Sequence, residues 1–201
     1  IQPIINFISE KFDEHYNWES GINRQKIVDN RIHACIFFLN PIGNKLKETD
    51  IEDLKKIDDI VNIILVIAKS DILTKGEVHN LKTKILEQIK ENNINVYKMI
   101  DYDEEDNDYL NELSNINKCM PFAVIGANSS KLLSDRKILG REYSWGFVNI
   151  ENPQYCDFTM LKTLLTKYIH DLKDITDNTL YENYRSRKLS VNLRVERYAV
   201  I

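Results

Sequence analysis

Apolar residues recur along this chain at two spacings, and their alternation outlines a fold. Ile1, Ile5, Ile8 and Phe12, with Ile4 beside them, share one face of a helix predicted from Ile1 to about Tyr16. Glu19 to Arg31 is polar, holds Gly21 and reads as a connector. Arg31 to Asn40, RIHACIFFLN, is strongly apolar from Ala34 to Leu39 and predicts a strand that Pro41 and Gly43 end. Thr49-Asp50-Ile51-Glu52 has the form of a capping box and predicts a helix reaching about Ile60. Val61 to Asp71, VNIILVIAKSD, is a short apolar run that stops at Ala68-Lys69-Ser70-Asp71 and suits a strand buried on both faces. A helix comes after Gly76, with Val78, Leu81, Ile85 and Ile89 on one stripe, and Asn92-Asn93 closes it. Ile94 to Ile100 predicts a short strand, and Pro121 to Asn128, PFAVIGAN, a further buried one. Helix, strand, helix, strand, helix, strand in that order predicts an α/β fold whose parallel sheet has right-handed crossovers.

The texture then changes. Leu139 to Asn152, LGREYSWGFVNIEN, reads as an irregular loop and then a short strand with Trp145, Phe147, Val148 and Ile150. Asp157 is placed to cap a long helix striped by Phe158, Leu161, Leu165, Tyr168 and Leu172. Thr176 to Asn178 breaks it, and a polar, aromatic helix runs from Thr179 to about Leu189.

Composition narrows the classes. The 201 residues make one domain or most of one, and 43% hydrophobic with 29% charged residues is ordinary globular usage. A net charge of −4 implies no general nucleic-acid surface. No apolar run reaches membrane-spanning length, and the first residues do not read as a basic segment with a signal core. The three cysteines, Cys35, Cys119 and Cys156, are odd in number and far apart, as expected for reduced thiols in a cytoplasmic protein. His33 and Cys35 share a strand face without a third ligand nearby, so they read as core residues and no metal site is expected.

The sharpest candidate chemistry is at the end of the central run. A buried strand in an α/β sheet delivers the residues after it to the carboxyl edge, where ligands bind. Here those residues include Lys69 and Asp71. A carboxylate can accept side-by-side bonds from the N1–H and exocyclic amine of guanine. Adenine offers neither, so the same carboxylate would be left unpaired beside it. The Lys69 stem can lie along a flat base. Alone, K-x-D after a strand also fits an ordinary solvated strand end. PFAVIGAN adds a second strand-end loop, in which Gly126 lets backbone N–H approach the base O6. Arg141 can stack its guanidinium on a base, or be a plain surface residue. Asp101 to Asp108, DYDEEDND, carries six carboxylates in eight positions. It reads as a solvated loop, or as a patch meeting a basic surface such as Arg185, Arg187, Lys188, Arg194 and Arg197 on a neighbour. It lacks the spacing of a Ca²⁺ loop.

Together these motifs resemble the septin family of GTPases, over about Ile1 to Leu189. ESGINRQKIVDNRIHACIFFLNPIGNKLKETDIEDLKKI is similar to the stretch around the family's central strand. VNIILVIAKSD resembles its guanine-specificity motif, and PFAVIGAN its base-binding loop. GREYSWGFVNIEN resembles the start of the element that separates septins from other GTPases, and LYENYRSRKL the end of their domain. The resemblance implies a P-loop-NTPase-like (Ras-like) parallel sheet with flanking helices, lacking its N-terminal strands, plus a septin-specific C-terminal element. It divides the chain into residues 1–138 of the G domain, 139–190 of the unique element and a 191–201 tail.

It also implies roles. Asp71 would accept from guanine, Lys69 pack against it, Gly126 donate its backbone N–H and Arg141 stack on the base. Septins assemble through two alternating faces. Trp145, Glu77 and Asn44 would belong to the nucleotide face, although many members carry His where Asn44 stands and Thr where Ile72 stands. The first and last helices would form the other face. The implied ligand is GTP or GDP, with Mg²⁺ only where an N-terminal phosphate site is present. The implied partners are other septin subunits, in cytoplasmic filaments or rings of the cytoskeleton. Cytokinesis and cortical scaffolding are the implied processes, and nothing in this segment supports membrane binding. No catalytic residue is assigned. The phosphate loop G-x-x-x-x-G-K-[ST] and the D-x-x-G switch are absent from these 201 residues, and no Met begins them, so a partial sequence is expected. Without the preceding strands, Arg31 to Asn40 should expose an apolar edge. This chain should bind guanine nucleotide poorly and not hydrolyse it. Two other readings are an active small-GTPase-like enzyme whose catalytic half lies outside this sequence, and a filament-capping module that binds no nucleotide.

Overall fold

The computed structural model describes residues 1–21, 28–43, 45–99, 107–133 and 136–199. Helix α1 (Gln2–Ser20) leads to strand β1 (Ala34–Leu39), helix α2 (Glu48–Ile57) and strand β2 (Asn62–Ile67). A single 3₁₀ turn (Ser70–Ile72) precedes helix α3 (Lys75–Glu91). Helix α4 (Asn107–Cys119) and strand β3 (Phe122–Ala123) follow. Strands β4 (Ser129–Leu133), β5 (Arg136–Tyr143) and β6 (Gly146–Asn149) come next. Helices α5 (Phe158–Lys167) and α6 (Ile169–Ile175), a π-helical turn (Thr176–Tyr181) and helix α7 (Glu182–Ala199) close the chain.

The expected α/β architecture is present. The main sheet has the order β1-β2-β3 and is parallel throughout, with Ala34 opposite Asn62 and Val66 opposite Phe122. Strand β2 is buried at all six positions because helices cover both of its faces. On one face Ile63, Leu65 and Ile67 pack with Ile8 and Phe12 of α1, Leu54 and Ile57 of α2, and Leu81, Ile85 and Ile89 of α3. On the other, Ile64 and Val66 meet Leu113 and Ile116 of α4, Leu161 and Leu164 of α5, and Leu172 of α6. That second layer reaches β1 only at Ala34. Ile36 and Phe38 stand opposite Ile64 and Val66 yet are exposed, Phe38 at 63%. β1 is thus the apolar sheet edge the sequence led us to expect.

Asn62 closes the opposite end of β2. Its amide donates to the carbonyls of His33 at 2.8 Å and Leu172 at 2.9 Å, and to Thr176 Oγ1 at 3.1 Å. These bonds tie the entry of β1 to the α6–π junction and satisfy buried polar groups there.

Several local expectations are corrected. Thr49 does not cap α2. The N-cap is Lys47, without a side-chain bond, and Glu48 and Asp50 occupy the first turn, where their charge suits the helix dipole. The real capping box is Thr74 with Glu77 at the start of α3. Residues 94–99 form no strand, although Tyr97 N–H does bond the Ile63 carbonyl at 2.9 Å. The expected strand over Pro121–Asn128 is regular only at Phe122–Ala123, where it pairs with β2. The segment read as an irregular loop belongs to an antiparallel meander, β4-β5-β6. Thr176 does not break the last helices. Its hydroxyl bonds the Leu172 carbonyl at 2.8 Å, and the chain continues through the π turn into α7.

Candidate functional site

The carboxyl edge of the parallel sheet brings three loops together, and backbone bonds fix them. Ala68 N–H bonds the Leu39 carbonyl at 3.1 Å, and Ser70 N–H bonds the Val124 carbonyl at 3.1 Å. Val124 N–H in turn bonds the Ile67 carbonyl at 2.9 Å. The loop after β2 and the loop after β3 are therefore laced side by side, which brings Asp71 and Gly126 to one edge. Lys69 takes a left-handed conformation with φ 51° and ψ 43°, unusual for a non-glycine residue. It leaves the Lys69 side chain exposed while Ser70 is buried. Gly126 is exposed, and a Cβ there would meet nothing within 4 Å. Its missing side chain leaves open space beside the loop and relieves no crowding within the chain.

The meander supplies the third loop. Asn128 N–H bonds the Gly140 carbonyl at 3.0 Å, and Glu142 N–H bonds Asn128 Oδ1 at 3.0 Å. These bonds hang β5 directly from the loop carrying Gly126. Gly140 sits where a side chain could not: a Cβ would lie 2.3 Å from Phe147 Cζ and 2.4 Å from the Val148 carbonyl oxygen. This close crossing of β5 and β6 swings Arg141 and Tyr143 over Asp71. Arg141 Nε is 3.9 Å from Asp71 Oδ2, and the Tyr143 hydroxyl donates to the same oxygen. The Asp71 side chain is only 7% exposed, and its Oδ1 is buried without a partner among the described residues. Burial, then the bond to Asp71, pushes the Tyr143 phenol up to about 12.

Lys69, Asp71, Gly126 and Arg141 thus converge on one edge. Trp145 lies in the β5–β6 turn, 73% exposed, and stacks on Tyr143 with ring centroids 4.7 Å apart. The Glu77 carboxylate is engaged inside the chain. It accepts from Thr74 N–H at 2.7 Å and from the Thr74 hydroxyl at 2.8 Å, and the backbone bond foremost holds it below the usual carboxylate range. Asn44 and Asp101–Asp106 of the acidic tract lie outside the described residues. Arg185 and Arg187 of the basic segment are paired within the chain, Arg185 with Glu19 at 3.7 Å and Arg187 with Asp59 at 2.9 Å. Lys188 pairs with Asp13.

Two participants went unrecognised in the sequence. Tyr143 depends on the register of β5 and had no local signal beyond its place in GREYSWG. Asp157 was expected to cap α5, but it makes no cap bond. Its Oδ2 accepts from Lys82 Nζ at 2.7 Å and from Ala123 N–H at 2.8 Å, bracing β3 from the side.

A further polar group lies at the opposite end of the sheet. Arg31 is buried between Asp29 and Asp177, with its guanidinium 4.9 Å from the Tyr181 ring centroid. The paired bonds from Arg31 hold the Asp29 carboxyl well below the usual range. His33 and His15 beside this group are held below the ordinary imidazole range, chiefly by burial. Near them α1 packs against the π turn and α7, Phe12 against Tyr181 of the turn and Tyr184 of α7. Ile4, Phe7 and Trp18 of α1 and Leu189 of α7 remain exposed. Among the described residues, no group of His, Cys, Asp and Glu has the makings of a metal site, and no helix is long and apolar enough to cross a membrane.

Comparison with known proteins agrees with this fold. The Septin family profile matches residues 1–197. Septin-1 of Drosophila melanogaster is 43% identical over 192 residues, covering 95% of this chain and 53% of that protein. Septin-4 of Rattus norvegicus is 41% identical over 188 residues, covering 92% of this chain and 41% of its own length. The chain therefore spans about half the length of these relatives. The crystal structure of Cdc11 from Saccharomyces cerevisiae superposes with a TM-score of 0.66 at 33% identity, over 93% of this chain and 75% of that one. The chain belongs to the septin family.

Proposed function

We propose that this chain carries the base-reading half of a guanine-nucleotide site in a cytoskeletal filament subunit that assembles with other septins. The observation that carries the reading is the position of Asp71. It is a poorly exposed carboxylate at the carboxyl edge of a fully buried strand, with Arg141 Nε 3.9 Å away and Gly126 on the adjoining loop. Two in-plane acceptors there match the N1–H and exocyclic amine of guanine, and an adenine would leave them unpaired. Arg141 would lie against the base, Lys69 would cover it, and Gly126 would offer its N–H to O6. GTP or GDP would also need the phosphate-holding and Mg²⁺-holding groups, which these 201 residues do not contain. Nucleotide would serve assembly, with exposed Trp145 beside it as a contact for a neighbouring subunit. The exposed apolar residues of α1 and α7 support a second contact face. Cytoplasmic filaments acting in cell division and cortical scaffolding fit this reading.

Exchanging the base tests it. In Asp71→Asn the side-chain amide meets the guanine amine donor to donor, whereas xanthine has a carbonyl at that position. The variant should lose guanosine binding and gain xanthosine binding, each by tenfold or more. Unchanged base preference in Asp71→Asn contradicts the assignment.

A further inference from the structure

The structure shows Asp71 already occupied by a residue of its own chain. The Tyr143 hydroxyl donates to Oδ2, and Arg141 Nε approaches the same oxygen at 3.9 Å. Oδ1 is buried and has no partner among the described residues. A planar base that donates from two adjacent atoms needs both oxygens at once. One is taken and the other is covered.

We infer that Tyr143 is an intramolecular cap that stands in for the base on Asp71 and must swing away before guanine can be read. The inference rests on the base-reading role proposed for Asp71. The phenol donates one O–H where a guanine would donate an N–H, so the two compete for the same lone pairs. Three features hold the cap. Tyr143 ends β5, where it pairs with Gly146 across the two-residue turn, so its backbone position is fixed by the meander. Its ring stacks on Trp145 with an interplanar angle of 11°. The Arg141 guanidinium lies 5.7 Å from the ring centroid on the way to Asp71. The upward displacement of the phenol to about 12 fits a proton kept on Tyr143 and shared with the carboxylate. Trp145 is 73% exposed, so whatever covers that indole reaches the residue on which the cap is stacked. The cap thus couples base reading to a contact at the β5–β6 turn. Binding favours the open form, and the closed form lowers apparent affinity by the fraction of molecules that are capped.

The test is an NMR-monitored titration of the whole chain with guanosine, comparing the parent with Tyr143→Phe, Trp145→Ala and Asp71→Asn. The expected result is roughly tenfold tighter guanosine binding by Tyr143→Phe, the value of one bond to a charged group. Trp145→Ala, which removes the stack and leaves the phenol, should shift affinity in the same direction by less. Equal or weaker binding by Tyr143→Phe, with Asp71→Asn still impaired, overturns the cap and leaves the base-reading role standing. Equal binding by the parent and Asp71→Asn overturns that role itself. Absence of guanosine binding by the parent and by Tyr143→Phe alike overturns both. Should Tyr143→Phe not fold, Trp145→Ala decides, and unchanged affinity there counts against the cap.

Discussion

Asp157 Oδ2 lies 2.7 Å from Lys82 Nζ, and this pair joins α3 to the start of α5 beneath the shortest strand of the sheet. The same oxygen accepts from Ala123 N–H at 2.8 Å, and Lys82 Nζ also donates to the Cys119 carbonyl at 2.7 Å. Strand β3 has only two residues, so its ladder with β2 is brief. The ion pair supplies the bracing that a longer strand would find in its neighbour. Both side chains are less than a fifth exposed, which makes loss of one partner costly to the other.

Asp157→Ala should therefore lower stability by about 2–3 kcal/mol, since it leaves a part-buried ammonium and an unpaired backbone N–H. Lys82→Met should cost less, because Asp157 keeps its bond to Ala123. Denaturant unfolding of the two single variants and the double variant measures the coupling, expected at about 1–3 kcal/mol. Additive single-variant effects would show that the pair does not brace β3.

Gly140 allows the crossing that carries Arg141 and Tyr143 over Asp71. A methyl group there would sit 2.3 Å from Phe147 Cζ and 2.4 Å from the Val148 carbonyl oxygen. Gly140→Ala must push β5 and β6 apart, at a cost of about 1–3 kcal/mol for an overpacked site. The expected reading is a lower unfolding midpoint, together with a changed guanosine affinity in Gly140→Ala as Arg141 and Tyr143 both shift relative to Asp71. Unchanged stability and affinity would mean that the meander does not position these residues.

Acid stability should follow the histidines first and Asp29 second. Burial holds His15 and His33 below 6.5 in the folded chain, so the unfolded chain binds more protons below that pH. Stability should be flat above about 6.5 and fall as pH drops below it. The Asp29 carboxyl is depressed by its bonds to Arg31, so its contribution is present above its ordinary 3.8 and is lost as pH falls beneath that value. Urea midpoints between pH 8 and pH 3 should show the two steps. His33→Gln should flatten part of the upper one, and an unaltered upper step in that variant would assign the proton uptake elsewhere.

Which parts of this fold were legible depends on where each signal is stored. β2 was readable because both of its faces are covered, so every position is apolar or, at Asn62, tied into buried bonds. The stripe of Leu81, Ile85 and Ile89 was readable because one side of α3 faces the core. Lys69, Asp71 and Gly126 came with those strand ends. The meander was not legible. Ser130, Lys131 and Leu132 of β4 are all exposed, so no alternation marks the strand, and Gly140 under Phe147 is a contact between strands. The capping boxes show a local motif decided by context. Thr49 with Glu52 and Thr74 with Glu77 have the same spacing, but only Thr74 stands at a helix start. Helix α4 was overlooked although Leu113 and Ile116 give it a buried side. The role of Tyr143 arises from strand register alone.

The most direct test is the affinity of this chain for guanosine, adenosine and GDP, measured side by side. The proposed site would read the base, and these residues hold no phosphate loop. Guanosine should bind weakly but at least tenfold more tightly than adenosine, GDP should bind within a few-fold of guanosine, and GTP should not turn over. Equal affinity for guanosine and adenosine would contradict the base-reading site at Asp71.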